Sequence, residues 1–292
     1  KSMESNLVSS HGIKFHGVYT SGIRGKKLIV ILKALFLLSV GFIQTMFVFI
    51  KYRPNAVIGM GGYASGIGGL IAKIFFVPLF LHEQNTIPGS TNKLLSKIST
   101  LNFQAFENSF SKEVNAITTG NPILFEPNSK KIVSEIKNLL VLGGSLGAKK
   151  INDVIPHIKT PINIWHQTGK SHFDEVKALY SKSDHHQVKV DPFISNMSEA
   201  YAWADLVVCR AGAMTVSELI ATKTIAILIP FPYAIDNHQT VNAQYLSKRE
   251  AGIIIDEQNL TPEALDEQIS QLDSEKLKEM SKNLGSLKVQ YP

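Results

Sequence analysis

Cysteine is almost missing from this chain: 292 residues contain one, Cys209. A single thiol excludes an internal disulfide framework and fits a reducing compartment. No Cys/His cluster has zinc-ligand spacing, so no metal is expected. Acidic residues are scarce in the first half, where residues 1–120 hold 4 Asp+Glu against 12 Lys+Arg; the remainder holds 20 against 18. Such a basic half points to anionic lipid or to nucleic acid. No nucleic-acid motif and no basic tract interleaved with aromatics is present, so nucleic acid is not an expected partner and an anionic membrane surface is. A solvated basic face without a partner is the alternative. No leader signature opens the chain. Lys1–Ser10 reads as the middle of a helix and Ser286–Pro292 stops without a closing element, so the chain reads as an interior piece of a longer protein.

What is present is apolar sequence cut by glycine turns. Hydrophobic residues make up 44% of the chain, enough for two α/β domains of ordinary size. The most informative stretch is Leu139–Lys150, LLVLGGSLGAKK. A buried strand ends on Gly143, Gly144, Ser145 and Gly147 and opens a helix, the arrangement that cradles phosphate on backbone N–H groups. An ordinary strand-to-helix turn is the alternative. A second strand–turn–helix follows at 206–220, LVVCRAGAMTVSELI, where Thr215 and Glu218 have capping-box spacing. Glu218 is therefore either a helix cap or an acceptor for a ribose diol, as an acidic residue is in other nucleotide-binding α/β folds. Together the two turns suggest a nucleotide diphosphate lying across a parallel sheet.

Strands are expected at Ala56–Gly59, Val77–Leu81, Leu101–Phe103, Ala116–Thr118, Leu139–Leu142, Asn163–Gln167, Val188–Asp191, Leu206–Cys209 and Ile225–Ile229. Helices alternate with them, among them Asn92–Ile98, Met197–Trp203, Thr215–Ala221 and Asp236–Lys248. Gly120-Asn121-Pro122 and the unpatterned stretch to Lys131 read as a linker between residues 1–120 and 121–292. The expected class is α/β with two doubly wound parallel-sheet domains. Leu28–Ile50 is nearly continuous apolar sequence, long enough to span a bilayer. However, Lys33, Gln44 and Lys51 fall on one helical stripe, and basic residues flank both ends. A helix lying in the membrane surface fits that pattern better than a span; a core helix is the other alternative. The glycine-rich basic segment Thr20–Lys27 before it reads as a headgroup- or phosphate-binding loop.

The motifs GMGGYASG, HEQN, GNP, GGSLGA, WHQTGK, AYAWADLVVCRAGAMTVSE and DNHQTVNA, in this order and spacing, resemble the MurG-type peptidoglycan glycosyltransferases through nearly all of the chain. The resemblance implies a GT-B fold, two Rossmann-like domains facing a cleft. The first, 1–120, would face acceptor and membrane, and the second, 121–292, would hold the donor. It implies inverting transfer of N-acetylglucosamine from UDP-GlcNAc to undecaprenyl-pyrophosphoryl-MurNAc-pentapeptide, at the cytoplasmic face of the bacterial cell membrane and with no cofactor. It further implies that Ser145 holds the diphosphate, that Ile194 meets the uracil through its backbone, and that Ala213, Met214, Thr215, Val216, Ser217 and Glu218 line the nucleotide-sugar. Gln239 would contact sugar hydroxyls, Asn85 the transferred sugar or acceptor, and Gly61 and Gly62 the acceptor pyrophosphate. No metal-binding Asp-x-Asp motif is present or required. Two features depart from the family. Its first glycine-rich loop, which carries a candidate base, is absent from this sequence and leaves His82 as the catalytic candidate, beside a purely structural role. Leu124 stands where the family has a donor-contacting arginine. Transfer to another lipid, or UDP-sugar binding without catalysis, are the alternative functions.

Overall fold

The computed structural model describes residues 3–20, 28–126, 132–144, 146–181, 187–234 and 237–287. The chain forms two compact units, one of residues 1–83 and 88–118, the other of residues 84–87 and 119–292. Ser145 and most of the Thr20–Lys27 segment lie outside the described residues.

In the first unit, helices α1 (Met3–Ser10) and α2 (Leu28–Tyr52) precede β1 (Val57–Gly59), α3 (Gly62–Ile74), β2 (Leu79–Glu83), α4 (Ser90–Leu95), β3 (Leu101–Gln104) and β4 (Ile117–Thr118). The four strands pair in parallel in sequence order. β2 begins two residues later than its apolar run predicts, because Pro78 has no N–H for a ladder and only its carbonyl is used, by Val57 N–H at 2.9 Å. The strand then runs on through His82 and Glu83, which the sequence pattern assigns to a turn. Phe49, Ile67, Ile71, Ala72, Leu79, Leu81 and Leu95 form the core, with Leu38, Phe42 and Met46 of α2 packed against it.

α2 therefore buries one stripe only. Leu32, Phe36, Ile43, Phe47 and Ile50, spaced to share a face, are all at least half exposed. Leu32–Tyr52 is long and apolar enough to cross a membrane by length and composition, yet 22% of that apolar window is buried within the protein. Lys33 and Lys51 are exposed beside the apolar face. Gln44, expected on the same polar stripe, instead accepts a hydrogen bond from Tyr19 N–H at 3.0 Å.

The second unit contains β5 (Asn138–Leu142), α5 (Lys149–Val154), β6 (Asn163–Gln167), α6 (Phe173–Tyr180), β7 (Val188–Asp191), α7 (Met197–Trp203), β8 (Leu206–Cys209), α8 (Ala213–Thr222), β9 (Ile225–Leu228), α9 (His238–Ser247), β10 (Ile253–Ile254), α10 (Pro262–Ser270) and α11 (Ser274–Ser286). Its six strands are parallel, in the order β10-β9-β8-β5-β6-β7. The central strands β8 and β9 are buried at every position, which is why they read as continuous apolar runs with no alternation. The two-residue β10 escapes a pattern search because it is too short to show a period. From β5 the chain winds one way through β6 and β7, then returns to β8 on the other side of β5 and winds the opposite way. The point where winding reverses, between the C-terminal ends of β5 and β8, is where open α/β sheets leave a crevice for a ligand.

Candidate nucleotide-sugar site

A cleft of about 660 Å³ occupies that crevice. β5 delivers Gly143, Gly144, Leu146 and Gly147 to it; β6 delivers Gln167; the turn after β7 delivers Phe193 and Ile194; and β8 delivers Arg210 and Gly212. Thr215 and Glu218 reach it from α8, Phe231 from beyond β9 and Gln239 from α9. Every one of these residues belongs to the second unit.

Glycine is required in the first loop by contact and by conformation. Gly147 has φ +80°, and a Cβ there would stand 2.2 Å from the Thr168 carbonyl oxygen. The loop's backbone is thereby the surface presented to the cleft, beside the cations of Lys149 and Lys150. Burial and charge are arranged around one further cation. Arg210 Nη1 donates to the Ile229 carbonyl at 3.2 Å, Nη2 pairs with the Glu257 carboxylate, and the guanidinium lies 5.4 Å from the Phe231 ring centre.

The capping reading of Thr215 and Glu218 is corrected by the helix start. α8 begins at Ala213 with Gly212 as its cap residue, and Val216 N–H donates to the Gly212 carbonyl at 2.9 Å. Thr215 and Glu218 therefore sit inside the helix, three residues apart on one face, both lining the cleft. Glu218 accepts a hydrogen bond from Tyr201 Oη at 2.8 Å. Burial raises its carboxyl pKa, and the Tyr201 bond opposes that rise. A carboxylate held half out of water, with one lone pair committed, is a strong acceptor for a vicinal diol.

The other expected site residues are distributed as follows. Ile194 lines the cleft, and its backbone N–H already donates to Gln167 Oε1 at 2.9 Å. Gln239 lines it too, with Oε1 accepting from Phe231 N–H at 2.9 Å. Ala213 and Met214 open α8 but are not among the lining residues. Val216 and Ser217 point into the interior: Val216 is wholly buried, and Ser217 Oγ accepts from Asn121 Nδ2 at 2.9 Å. Asn85 groups with the second unit, where its Oδ1 accepts from Asn242 Nδ2 at 3.2 Å. Asn242 Oδ1 in turn accepts from Thr86 N–H and Oγ1–H, so Asn85 and Thr86 are both bonded to α9 within the second unit.

In the first unit, Gly61 and Gly62 form the turn from β1 into α3, both with positive φ. A Cβ on Gly62 would meet open space, whereas one on Gly61 would come 3.6 Å from Asn92 Nδ2. His82 is half-buried on β2, and its carbonyl accepts from Asn92 Nδ2 at 3.2 Å. Leu124 is 98% exposed. Among the described residues, no group of three or more His, Cys, Asp or Glu side chains is placed to hold a metal ion.

Sequence reasoning assigns no role to Arg210, Gln167, Phe231, Lys149, Lys150 or Glu257. The signal was available for the first three, since each ends a buried strand or follows one within three residues on the edge where ligands bind. Glu257 carries no such signal, because only the fold brings it to Arg210.

Comparison with known proteins bears on the family and the fold. The glycosyltransferase family 28 N-terminal domain matches residues 1–103 and the C-terminal domain of the same family matches residues 138–290. A UDP-N-acetylglucosamine–N-acetylmuramyl-(pentapeptide) pyrophosphoryl-undecaprenol N-acetylglucosamine transferase of Vesicomyosocius okutanii is 50% identical over 290 residues, covering 99% of this chain and 83% of the relative. The crystal structure of Acinetobacter baumannii MurG is 34% identical with a TM-score of 0.82, over 97% of this chain and 83% of that one. The calicheamicin glycosyltransferase CalG4, 12% identical with a TM-score of 0.67 over 97% of this chain and 85% of that one, shares the GT-B fold. With both of its domains matched and half of its residues shared with such a relative, the chain belongs to glycosyltransferase family 28.

Proposed function

We infer that this chain is an N-acetylglucosaminyltransferase, moving N-acetylglucosamine from UDP-GlcNAc to undecaprenyl-pyrophosphoryl-N-acetylmuramyl-pentapeptide in peptidoglycan synthesis. The observation that carries the donor half is the juxtaposition of a glycine-loop backbone with the Glu218 carboxylate across one cleft at the winding reversal. The loop and the cations of Lys149 and Lys150 suit a diphosphate, and Glu218 with Thr215 suits the ribose. Ser145, within the loop, is assigned to the diphosphate on the resemblance alone.

Transfer is a single displacement. The 4-hydroxyl of the muramyl residue loses its proton to a base, and its oxygen forms the new bond to the anomeric carbon of N-acetylglucosamine. The bond from that carbon to the UDP oxygen breaks on the opposite face, and the electron pair leaves with UDP. Donors preorganised around the β-phosphate stabilise the departing charge, the largest kind of contribution available to such a site. We assign the base to His82, at the C-terminal end of a parallel strand, and expect His82→Asn to lower kcat about 10²–10⁴-fold. The acceptor pyrophosphate is assigned to the Gly61–Gly62 turn.

The membrane surface is the remaining partner. The exposed Leu32, Phe36, Ile43, Phe47 and Ile50 face of α2, edged by Lys33 and Lys51, supports a helix lying in an anionic interface. UDP release measured with and without the lipid acceptor tests the activity. Acceptor-dependent release is expected, and equal release in both would refute transfer.

A further inference from the structure

The WHQTGK segment, residues 165–170, has no role in the assignments above beyond Gln167. Behind the glycine loop it takes part in a continuous chain of side-chain hydrogen bonds. Tyr180 Oη lies 2.9 Å from His166 Nδ1, and His166 Nε2 lies 3.1 Å from Asn152 Oδ1. Asn152 Nδ2 donates to the Thr168 carbonyl at 3.0 Å. His166 and Thr168 are fully buried and Asn152 is 1% exposed.

The direction of this chain is forced from one end. A carbonyl only accepts, so Thr168 takes an N–H from Asn152 and turns the amide oxygen of Asn152 toward His166. That oxygen also only accepts, so the imidazole proton sits on Nε2. Nδ1 is then an acceptor and Tyr180 donates to it. That last direction holds for the neutral imidazole, the form burial favours by holding the His166 pKa down to about 3.

The Thr168 carbonyl is where the chain meets Gly147, which lines the cleft. It occupies the space a Cβ on Gly147 would need, at 2.2 Å, and a Cβ on Gly169 would stand 2.5 Å from the Gly147 nitrogen. The two turns are packed backbone against backbone. The Thr168 carbonyl is nearer to Gly147 than the His172 ring beside it, so a shift of Thr168 moves Gly147.

Building on the nucleotide-sugar reading, we propose that His166 is a positioning residue for the donor diphosphate: through Asn152 and the Thr168 carbonyl it holds Gly147 where its backbone meets the phosphates. His166 is not among the residues lining the cleft. A residue serving stability alone would change the folded fraction and leave the donor affinity of folded molecules as it was.

The test uses the whole chain, UDP as titrant, and folding checked by circular dichroism. His166→Leu keeps bulk and removes both bonds; Asn152→Asp keeps size but sets a carboxylate against the Thr168 carbonyl. Both should weaken UDP binding by at least about fivefold. His166→Gln, which keeps one donor and one acceptor, should recover to within about twofold of the parent. In turnover, the donor KM should rise while the acceptor KM stays unchanged. Should His166→Leu fail to fold, Asn152→Asp and Tyr180→Phe carry the decision. Folded variants that bind UDP like the parent would overturn the proposal. A parent chain that does not bind UDP would overturn the nucleotide reading beneath it, a distinct outcome.

Discussion

Replacing Glu218 separates its two tasks, since its carboxylate accepts from Tyr201 inside the protein and is assigned to the ribose of the ligand. In Glu218→Gln the amide oxygen still accepts from Tyr201, so the fold is kept. What is lost is charge. Hydrogen bonds to a charged group contribute about 1.5–3 kcal/mol against about 1 kcal/mol for neutral pairs. Across two ribose hydroxyls the loss is about 2 kcal/mol, roughly 30-fold in Kd. Glu218→Ala goes further and leaves the buried Tyr201 hydroxyl without that acceptor, which costs a further ~1–3 kcal/mol of stability. Titration calorimetry with UDP and with its 2′-deoxy analogue isolates the contact. The parent should discriminate strongly against the deoxy ligand and Glu218→Ala only weakly, because the hydroxyl then has no partner to lose. Equal discrimination by both proteins would refute the ribose assignment. Stability supplies an independent sign. Burial raises the Glu218 pKa, so its charged form costs stability above that pKa. Glu218→Gln should therefore unfold at a higher temperature than the parent at neutral pH, with the difference vanishing once acid protonates Glu218.

Gly147→Ala should cost more than ~2 kcal/mol and abolish UDP binding, since it combines a positive φ with a clash against the Thr168 carbonyl; thermal unfolding and titration would both report it. His166 is buried neutral with a pKa near 3 against 6.5 for an ordinary histidine. Its contribution is intact above pH 6.5 and is lost toward pH 3 at about 1.4 kcal/mol per pH unit; denaturant unfolding of His166→Gln should show a flatter acid limb. Burial likewise pushes the Cys209 thiol up, and the residue is fully enclosed. A thiol reagent should label it only after denaturant is added, and labelling of the native chain would contradict the packing of β8. Phe36→Glu with Phe47→Glu should abolish sedimentation with anionic vesicles while leaving UDP binding unchanged, because both side chains lie on the exposed face of α2.

The amino-acid sequence by itself determined the two parallel-sheet units and several of their element boundaries, among them Asn163–Gln167, Leu206–Cys209 and Met197–Trp203. Apolar runs bounded by glycine are a local signal, and a strand buried on both faces cannot be written any other way. The positions of the glycine loop and of the helix that carries Glu218 were legible for the same reason, since each follows directly on a buried strand. Only the tertiary structure decided what those residues touch. Thr215 reads as a cap in the sequence, but the helix starts at Ala213 with Gly212 as its cap, which frees Thr215 and Glu218 to face the cleft. Ser217 and Val216, one and two residues before Glu218, turn into the interior because a helix rotates successive side chains by about 100°. The pairing of Arg210 with Glu257, the fastening of Thr86 to Asn242, and the bonds from Tyr180 through His166 to Thr168 join residues far apart in the chain or on separate elements. Such contacts are products of sheet order, which no local pattern contains.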